Sequence, residues 1–226
     1  MTDVEFFFDP SCPWTWVTSR WLAAVAPERQ LQVTWRTWSL PMKNAGRELP
    51  ADMPAEWRKR ILAGKAFSIQ ALRVLEAVGA KEGPEVEGHL YTELGRRFHH
   101  EGEGESSGSP EDVITQALAA AGLPAELADA ADDDAWDEPV RNNMDEVRRQ
   151  VGDEVGVPIL AIRDGEHLLA MAGPIMAEVP VRDRSLALWD AVATIIGEPA
   201  VFELKRQRTA SPSPPSLDTD ARAVAR

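Results

Sequence analysis

Hydrophobic residues follow two different periods along the chain, and the period changes twice. Residues 4–8 form a short apolar, aromatic run before an Asp-Pro turn, which predicts a buried strand. Apolar positions recur at helical spacing over 14–25, and we expect this helix to end at Pro27. Residues 31–40 alternate and are rich in β-branched and aromatic side chains, which predicts a second strand. A strand–helix–strand opening of this size usually pairs its strands in parallel with a right-handed crossover.

Between residues 54 and 151 the pattern becomes helical, with Pro or Gly at nearly every boundary. A Gly-, Ser- and Glu-rich tract at 101–110 interrupts this block and predicts a mobile connector. Because no strand is predicted in the block, we expect an all-helical insertion. Its predicted helices span 55–78, 84–100, 110–121, 124–130 and 135–151.

Strand patterns return after the helical block. Two apolar runs at 158–162 and 167–172 flank an Asp-Gly pair, which is a strong hairpin signal, and a last amphipathic helix is predicted at 182–196. The order β-α-β, helical insertion, β-β-α is that of a thioredoxin-like α/β fold. The alternative, a larger doubly wound sheet, lacks the further strands it would need.

This order predicts a division of the chain into three parts. We expect a thioredoxin-like domain formed by 1–53 and 152–209 and a helical insertion domain formed by 54–151. The remaining tail, 210–226, is rich in Pro and Ser, and this composition predicts disorder.

The negative charge of the chain is concentrated in the helical block. The 226 residues carry a formal net charge of −13, and 20 of the 37 acidic residues but only 6 of the 24 basic ones lie at 81–154. An acidic chain without a basic stripe is unsuited to tracking nucleic-acid phosphates. No apolar run approaches the roughly 20 residues of a membrane span, and the N-terminus lacks the basic region of a secretory peptide. We therefore expect a cytoplasmic protein that has neither nucleic acid nor membrane as a partner.

Cys12 is the single cysteine, which excludes an intramolecular disulfide and a zinc site built on several thiolates, and we expect no metal. It lies where a predicted strand leads into the N-terminus of a helix, in the segment SCPWTW. Unpaired N–H groups and the positive end of the helix dipole stabilise a thiolate there. We expect a lowered pKa and a nucleophilic sulfur; the alternative is a buried, inert cysteine.

A second candidate feature is the Val157-Pro158 pair at the start of the third predicted strand. In a thioredoxin-like fold this position is a cis-proline beside the reactive thiol, and the neighbouring backbone can receive a thiol substrate like an added strand. An X-Pro bond taken alone is more often trans. The expectation therefore depends on the position of Pro158 between the helical block and the hairpin.

Several segments together resemble one family. The segments FFFDPSCPWTW and TSRWL resemble the start of DsbA-like thioredoxin-fold proteins, and in particular of the actinobacterial mycothiol-dependent nitroreductases. The resemblance extends to about Thr209 and so covers nearly the whole chain. The further matching segments are WSLPMKN, HLYTELGRRFHHEG, AAAGLPAELA, DEVGVPIL, AGPIM, LALWDA and FELKRQRT.

The resemblance implies roles for residues in two of these segments. Cys12 is similar to the attacking cysteine of the family, and Pro13 and Trp14 to the loop that follows it. Val157 and Pro158 are similar to the cis-proline segment, and the resemblance implies that Pro13, Trp14, Val157 and Pro158 bind and position the thiol cofactor.

Three further positions, Asn44, Trp57 and His99, fall in segments that border the cleft between the two domains in that family. The resemblance implies that they contact the substrate. Structural roles are equally open for each of them: Asn44 as the cap of a turn, Trp57 in the core of the helical block, and His99 on the surface.

One position departs from the family's Cys-Pro-Trp-Cys pattern, because Thr15 occupies the fourth place. A dithiol can close its own disulfide, whereas a monothiol must be released from a mixed disulfide by an external thiol. We expect Thr15 to take part in catalysis by donating a hydrogen bond to the Cys12 thiolate, which would lower its pKa further.

The leading hypothesis is a thiol-dependent oxidoreductase that acts as a monothiol through Cys12. Its cofactor is expected to be mycothiol or another low-molecular-weight thiol, and its substrate a mixed disulfide or a small nitroaromatic or quinone-like molecule. The state of assembly is left open between monomer and homodimer. Four tryptophans could offer a flat surface for an aromatic ring, and a core position is the alternative for most of them: Trp14, Trp16, Trp21 and Trp57.

Two alternatives remain. A kappa-class-like glutathione transferase or isomerase would use Ser11, Cys12 or Thr15 to bind and activate the thiolate of a small thiol. A binding or chaperone-like module would have lost its redox activity together with the second cysteine. The activity of a Cys12→Ser variant tests the first alternative, and the pKa of Cys12 tests the second.

Overall fold

A computed structural model describes residues 2–100 and 109–215 of the chain. Most of the predicted connector at 101–110, and residues 216–226 of the predicted disordered tail at 210–226, lie outside the described residues. The chain divides into two compact units. The sheet unit takes in the described parts of Met1–Phe8, Cys12–Arg36 and Asp145–Arg226, and the helical unit takes in Asp9–Ser11 and the described part of Thr37–Met144.

Four strands form one sheet in the order β2-β1-β3-β4. The strands are β1 Thr2–Phe8, β2 Leu31–Thr37, β3 Ile159–Asp164 and β4 His167–Ala172. Strand β1 pairs antiparallel with β3, with Phe7 opposite Ile159, and β3 pairs antiparallel with β4. The carboxyl end of β1 and the amino end of β3 therefore meet at the same edge of the sheet. Cys12 follows β1 at this edge, and Pro158 directly precedes β3 there.

Seven α-helices and two 3-10 helices are present within the described residues. They are α1 Pro13–Arg29, α2 Leu40–Lys43, α3 Ala55–Glu82, α4 Pro84–His99, α5 Pro110–Ala120, the 3-10 helices Ala125–Asp132 and Asp134–Trp136, α6 Asp137–Val151 and α7 Arg182–Ile196. None of the helices within 2–100 and 109–215 has the length and apolar character needed to cross a bilayer.

Strand β1 lies in the centre of the core, since the side chains of Val4 and of the three phenylalanines that follow Glu5 are fully buried. A strand with neighbours on both sides and cover on both faces accepts such a continuous apolar run. Glu5 is the exception in this run and is only 4% exposed. Its carboxylate accepts hydrogen bonds from Nε of Arg36 on β2, at 2.9 Å, and from Nε of Arg163 on β3, at 2.6 Å. These two arginines compensate the burial of its charge.

Helices α1 and α7 pack against each other in the sheet unit. The indole N–H of Trp21 donates to the backbone oxygen of Ser185 at 3.2 Å, and the rings of Trp21 and Trp189 lie 6.1 Å apart. At the solvent edge, Arg29 forms a two-pronged ion pair with Asp190. This contact fixes the helix that begins just after Cys12.

The core of the helical unit is formed mainly by apolar side chains of α3, α4 and α5. The rings of Phe67 and Phe98 stack at 4.1 Å between centroids. Gly79 lies inside α3, where a Cβ atom would come within 1.8 Å of the Glu87 carboxylate on α4. The missing side chain at Gly79 thus leaves room for the Glu87 carboxylate. Helix α3 continues to Glu82, past the predicted end at 78.

The structure corrects three other predicted boundaries. Pro27 lies inside α1 and does not end it. Its fixed φ is itself helical, so the helix continues at the cost of one hydrogen bond. The helix ends at Arg29, and Gln30, whose φ is 53°, is its C-cap. Strand β2 ends at Thr37, because the Ser39 hydroxyl accepts a hydrogen bond from the Met42 N–H and caps the short helix α2, which was not predicted. The helix predicted at 124–130 is a 3-10 helix.

Candidate active site

Cys12 is the N-cap residue of α1 and has extended backbone dihedrals. Its carbonyl oxygen accepts the first helical hydrogen bond, from the N–H of Trp16 at 3.0 Å, and Pro13 occupies the first helical position. The residue is 7% exposed, so the thiol is nearly enclosed. Its place at the N-terminus of a 17-residue helix puts the sulfur in the positive field of the first turn.

Thr15 lies one turn further along α1 and is fully buried. The predicted hydrogen bond from Thr15 to the Cys12 sulfur is wrong: the Thr15 hydroxyl has no hydrogen-bond partner among the described residues. The hydroxyl is therefore outside hydrogen-bonding geometry with the thiol. A buried hydroxyl without a partner costs about 1–3 kcal/mol.

Two cis peptide bonds, Val157-Pro158 and Gly173-Pro174, lie in the sheet unit. The segments that carry them are joined, since Gly173 N–H donates to the carbonyl oxygen of Pro158 at 2.8 Å. The Thr18 hydroxyl on α1 donates to the carbonyl oxygen of Pro174 at 2.9 Å. Neither Thr18 nor Pro174 was predicted from the sequence; the Gly-Pro pair directly after a predicted strand is the signal that could have indicated a special turn.

Trp14 is the half-buried aromatic side chain of the Cys12 segment. The guanidinium carbon of Arg208 lies over its ring, 4.9 Å from the centroid, within the range of a cation–π contact. Trp16 and Trp21 are fully buried core residues. Of the two alternatives considered for them, the core position is the correct one, and neither offers its ring to a substrate at the surface.

Asp9 anchors the three-residue segment that leads into Cys12, and this segment belongs to the helical unit. Its buried carboxylate accepts hydrogen bonds from the N–H and hydroxyl of Ser11, at 2.9 and 2.7 Å, from the Leu40 N–H at 2.8 Å and from the Ser68 hydroxyl at 2.7 Å. Burial raises the pKa of Asp9, and the hydrogen bonds from Leu40, Ser11 and Ser68 oppose that rise. The role of Asp9 as an anchor was not predicted, because its partners Leu40 and Ser68 are remote from it in the sequence.

His99 holds the same segment. Its Nε2 lies 2.9 Å from the carbonyl oxygen of Pro10, and because a carbonyl oxygen only accepts, Nε2 carries the proton. The ring also packs edge-on against Phe98, with 5.1 Å between centroids. His99 thus positions the chain immediately before Ser11.

Asn44 and Trp57 also lie in the helical unit, in different surroundings. Asn44 is the C-cap residue of α2, and its side-chain amide donates to the carbonyl oxygen of Leu40 at 2.9 Å. Trp57 is 64% exposed, which excludes the core position considered for it. It borders an open surface recess together with Pro50, Asp52, Met53 and Pro54.

The structure therefore places the predicted site residues in two groups. Cys12, Pro13, Trp14, Thr15, Val157 and Pro158 belong to the sheet unit, and Asn44, Trp57 and His99 belong to the helical unit. Within the parts of the chain that the structure describes, no three His, Cys, Asp or Glu side chains form a group able to hold a metal ion.

Solved structures show the same fold at low sequence identity. The cytosolic disulfide reductase DsbM from Pseudomonas aeruginosa is 17% identical, with a TM-score of 0.56 over 85% of this chain and 98% of that protein. The probable DsbA oxidoreductase SCO1869 from Streptomyces coelicolor is 20% identical, with a TM-score of 0.54 over 92% of this chain and 95% of that one. The predicted α/β, thioredoxin-like fold with a helical insertion is thus confirmed.

Sequence comparison identifies the family. The uncharacterized protein Rv2286c of Mycobacterium tuberculosis is 30% identical over 214 residues, which are 92% of this chain and 84% of that protein. The model of the Rv2466c-like family, described as mycothiol-dependent nitroreductase Rv2466c, matches residues 11–206, from Ser11 beside the candidate nucleophile to the basic C-terminal segment. The chain therefore belongs to the Rv2466c-like mycothiol-dependent nitroreductase family, and this membership supports a thiol-dependent redox role.

Proposed function

We propose that the protein is a monothiol oxidoreductase in which Cys12 is the nucleophile and a low-molecular-weight thiol, mycothiol, completes the cycle. The observation that carries the proposal is the place of Cys12 at the N-cap of α1, with the unpartnered hydroxyl of Thr15 one turn away. A thiolate is stabilised at a helix N-terminus. A bound ligand would supply the partner that the Thr15 hydroxyl lacks.

The proposed chemistry is thiol–disulfide exchange. The Cys12 thiolate attacks one sulfur of a disulfide, a new S–S bond forms at Cys12, the old S–S bond breaks, and the second sulfur leaves as a thiolate. Because the chain has no second cysteine, the mixed disulfide is resolved from outside. A thiolate of the cofactor attacks the mixed disulfide, forms a new disulfide with the bound group and releases the Cys12 thiolate. Complete reduction of one disulfide to two thiols consumes two cofactor thiols, which become a disulfide.

The residues at the sheet edge fit a small thiol. Thr15 offers one unused hydroxyl, and Val157 and Pro158 lie before β3, where an added strand of ligand backbone would pair. The ring of Trp14 is half-buried, and an aromatic substrate would contact the part of it that the Arg208 guanidinium leaves uncovered. We propose these residues as the site for the thiol and for the ring of a nitroaromatic or quinone-like substrate.

Asn44, Trp57 and His99 remain proposed substrate contacts. Of the three, Trp57 has a largely exposed side chain, whereas Asn44 and His99 already hydrogen bond to backbone oxygens within the helical unit. The domain boundaries at 54 and 151, the disordered tail, the cytoplasmic location and the monomeric or dimeric state also stay predictions.

A second candidate function follows from the same hydroxyl. In a transferase or isomerase of the kappa-class type, Thr15 would donate its hydrogen bond to the thiolate of the bound cofactor, and Cys12 would not form a covalent bond. The unpartnered state of the Thr15 hydroxyl favours this candidate as much as the first. The two candidate functions differ in whether the Cys12 sulfur forms a covalent bond with the thiol or substrate.

Intact-mass analysis tests the proposal. The protein is incubated with oxidised mycothiol or oxidised glutathione, and we expect an adduct of one thiol on Cys12, absent in the Cys12→Ser variant and removed by excess reduced thiol. A Cys12→Ser protein that keeps full activity with mycothiol would contradict the monothiol mechanism and support the transferase. An unmodified wild-type protein without mycothiol-dependent activity would contradict both.

A further inference from the structure

The chain that follows α7 has no regular secondary structure up to residue 215; it begins with a local turn, and near its end a backbone hydrogen bond ties it to a distant residue of the sheet unit. Near its start, the N–H of Val201 donates to the carbonyl oxygen of Glu198 at 3.0 Å. Near its end, the N–H of Ser213 donates to the carbonyl oxygen of Ala177 at 2.6 Å. We call residues 198–215 the C-terminal segment; its middle part is held within the sheet unit.

The middle of the C-terminal segment is basic, in contrast to the acidic chain as a whole. Lys205, Arg206 and Arg208 lie within four residues of one another and are exposed. Within residues 2–100 and 109–215, no carboxylate pairs with any of these three side chains. Their charges are therefore available to an anion from solution.

Arg208 is the cation of this group that is held in place. Its guanidinium lies over the ring of Trp14, which is separated from Cys12 by Pro13 alone. A planar guanidinium that stacks by its face keeps its N–H groups at the edge, where they match the two oxygens of a carboxylate.

We propose that Arg208 is a specificity residue that binds a carboxylate on the substrate of Cys12. This inference rests on the proposed function, and it narrows the substrate class to disulfides or electrophiles that carry an anionic group beside the reacting atom. Trp14 acts as a positioning residue by holding the guanidinium in one plane. Lys205 and Arg206 raise the local positive potential without a fixed contact.

Two aromatic disulfides, one anionic and one neutral, test the inference. 5,5′-Dithiobis(2-nitrobenzoate) carries a carboxylate on each ring, and 2,2′-dithiodipyridine is neutral. With either reagent the Cys12 thiolate forms a mixed disulfide and one aryl thiolate is released, whose absorbance gives the rate. The ratio of the two rates cancels changes in the reactivity of the thiolate itself.

We expect Arg208→Ala to lower the ratio of anionic to neutral rates by about fivefold, which corresponds to the loss of one exposed charge pair. Arg208→Lys should keep part of the ratio, since it retains the charge and loses the planar fork. Arg206→Ala is the matched control, with the same charge change in the same segment and no contact with Trp14, and should change the ratio by less than about twofold.

The outcomes separate the inference from the proposed function. If Cys12 reacts with both reagents and Arg208→Ala leaves the ratio unchanged, or changes it no more than Arg206→Ala does, the carboxylate site is disproved and the monothiol function stands. If wild-type Cys12 reacts with neither reagent, the nucleophile itself is disproved, and the inference with it.

Discussion

The Ser68 hydroxyl donates a hydrogen bond to Oδ2 of Asp9 at 2.7 Å, across 59 residues of sequence. Asp9 accepts three further bonds, two of them from Ser11, the residue bonded to Cys12. The segment Asp9–Ser11, which leads into Cys12, is therefore held by a buried carboxylate. Burial raises the pKa of this carboxylate, and its hydrogen bonds from Leu40, Ser11 and Ser68 oppose that rise without cancelling it.

Asp9 should make the stability of the protein depend on pH. Burial raises its folded pKa above the ordinary 3.8, so the folded state binds this proton more tightly than the unfolded state does. The contribution of Asp9 to stability is then fully present below 3.8 and is lost as the pH rises through the folded pKa. We expect the free energy of unfolding of wild type, minus that of Asp9→Asn, to fall with rising pH above 3.8 in urea titrations.

Asp112 is a matched control, because its pKa is shifted in the opposite direction to that of Asp9. The backbone N–H and the hydroxyl of Ser109 lower the pKa of Asp112 below 3.8, so its contribution is present above that pH and is lost as the pH falls through the folded pKa. The same difference measured for Asp112→Asn should rise with pH below 3.8. Parallel slopes for the two variants would contradict the assignment for Asp9.

Replacement of Glu5 should destabilise the sheet unit. The carboxylate is 4% exposed and lies between Arg36 and Arg163, so Glu5→Gln leaves two guanidinium groups without their buried counter-charge. We expect a loss of about 3 kcal/mol in the free energy of unfolding, measured by urea denaturation. Glu146, whose side chain is 33% exposed, is the outer partner of Arg163. Glu146→Gln should therefore cost less than about 1 kcal/mol in the free energy of unfolding. Equal losses would show that burial of Glu5 does not decide the effect.

Thr15→Val should separate stability from function. The Thr15 hydroxyl has no partner among the described residues, so an isosteric valine removes no hydrogen bond, and the free energy of unfolding should stay the same or rise by up to about 1 kcal/mol. If the hydroxyl binds the incoming thiol, mixed-disulfide formation with oxidised mycothiol should slow. Thr18→Val is the comparison, because it breaks the bond to Pro174 and should destabilise the protein. A Thr15→Val protein with an unchanged rate would remove Thr15 from the site.

Thr15→Cys should convert the monothiol into a dithiol. Residues three apart at a helix N-terminus are close enough for a disulfide. After oxidation we expect a mass lower by two hydrogens and loss of the mixed disulfide with glutathione, because the second thiol displaces it. Thr18→Cys, six residues from Cys12, is the control and should retain the mixed disulfide. A stable mixed disulfide in both variants would show that the first turn cannot bring the two sulfurs together.

The elements that sequence predicted well are those with local causes. Strand β4 and helix α7 have the predicted bounds, since an Asp-Gly turn and a clean helical period act within a few residues. Pro27 misled the prediction because the helix tolerates its fixed φ near the C-terminus. Gly79 also misled the prediction: it does not end the helix, and its missing side chain leaves room for the Glu87 carboxylate on the next helix.

The sequence by itself determined the class of fold, the family and the position of Cys12 at a helix N-cap, because these depend on local pattern and on motifs read in order. Tertiary structure alone decided that Ser68 and Leu40 bind Asp9, that Arg208 covers Trp14 and that Trp16 and Trp21 are buried. Each of these depends on which segments meet in space. The period of a sequence shows which face of an element is buried, and not which distant residue it will contact.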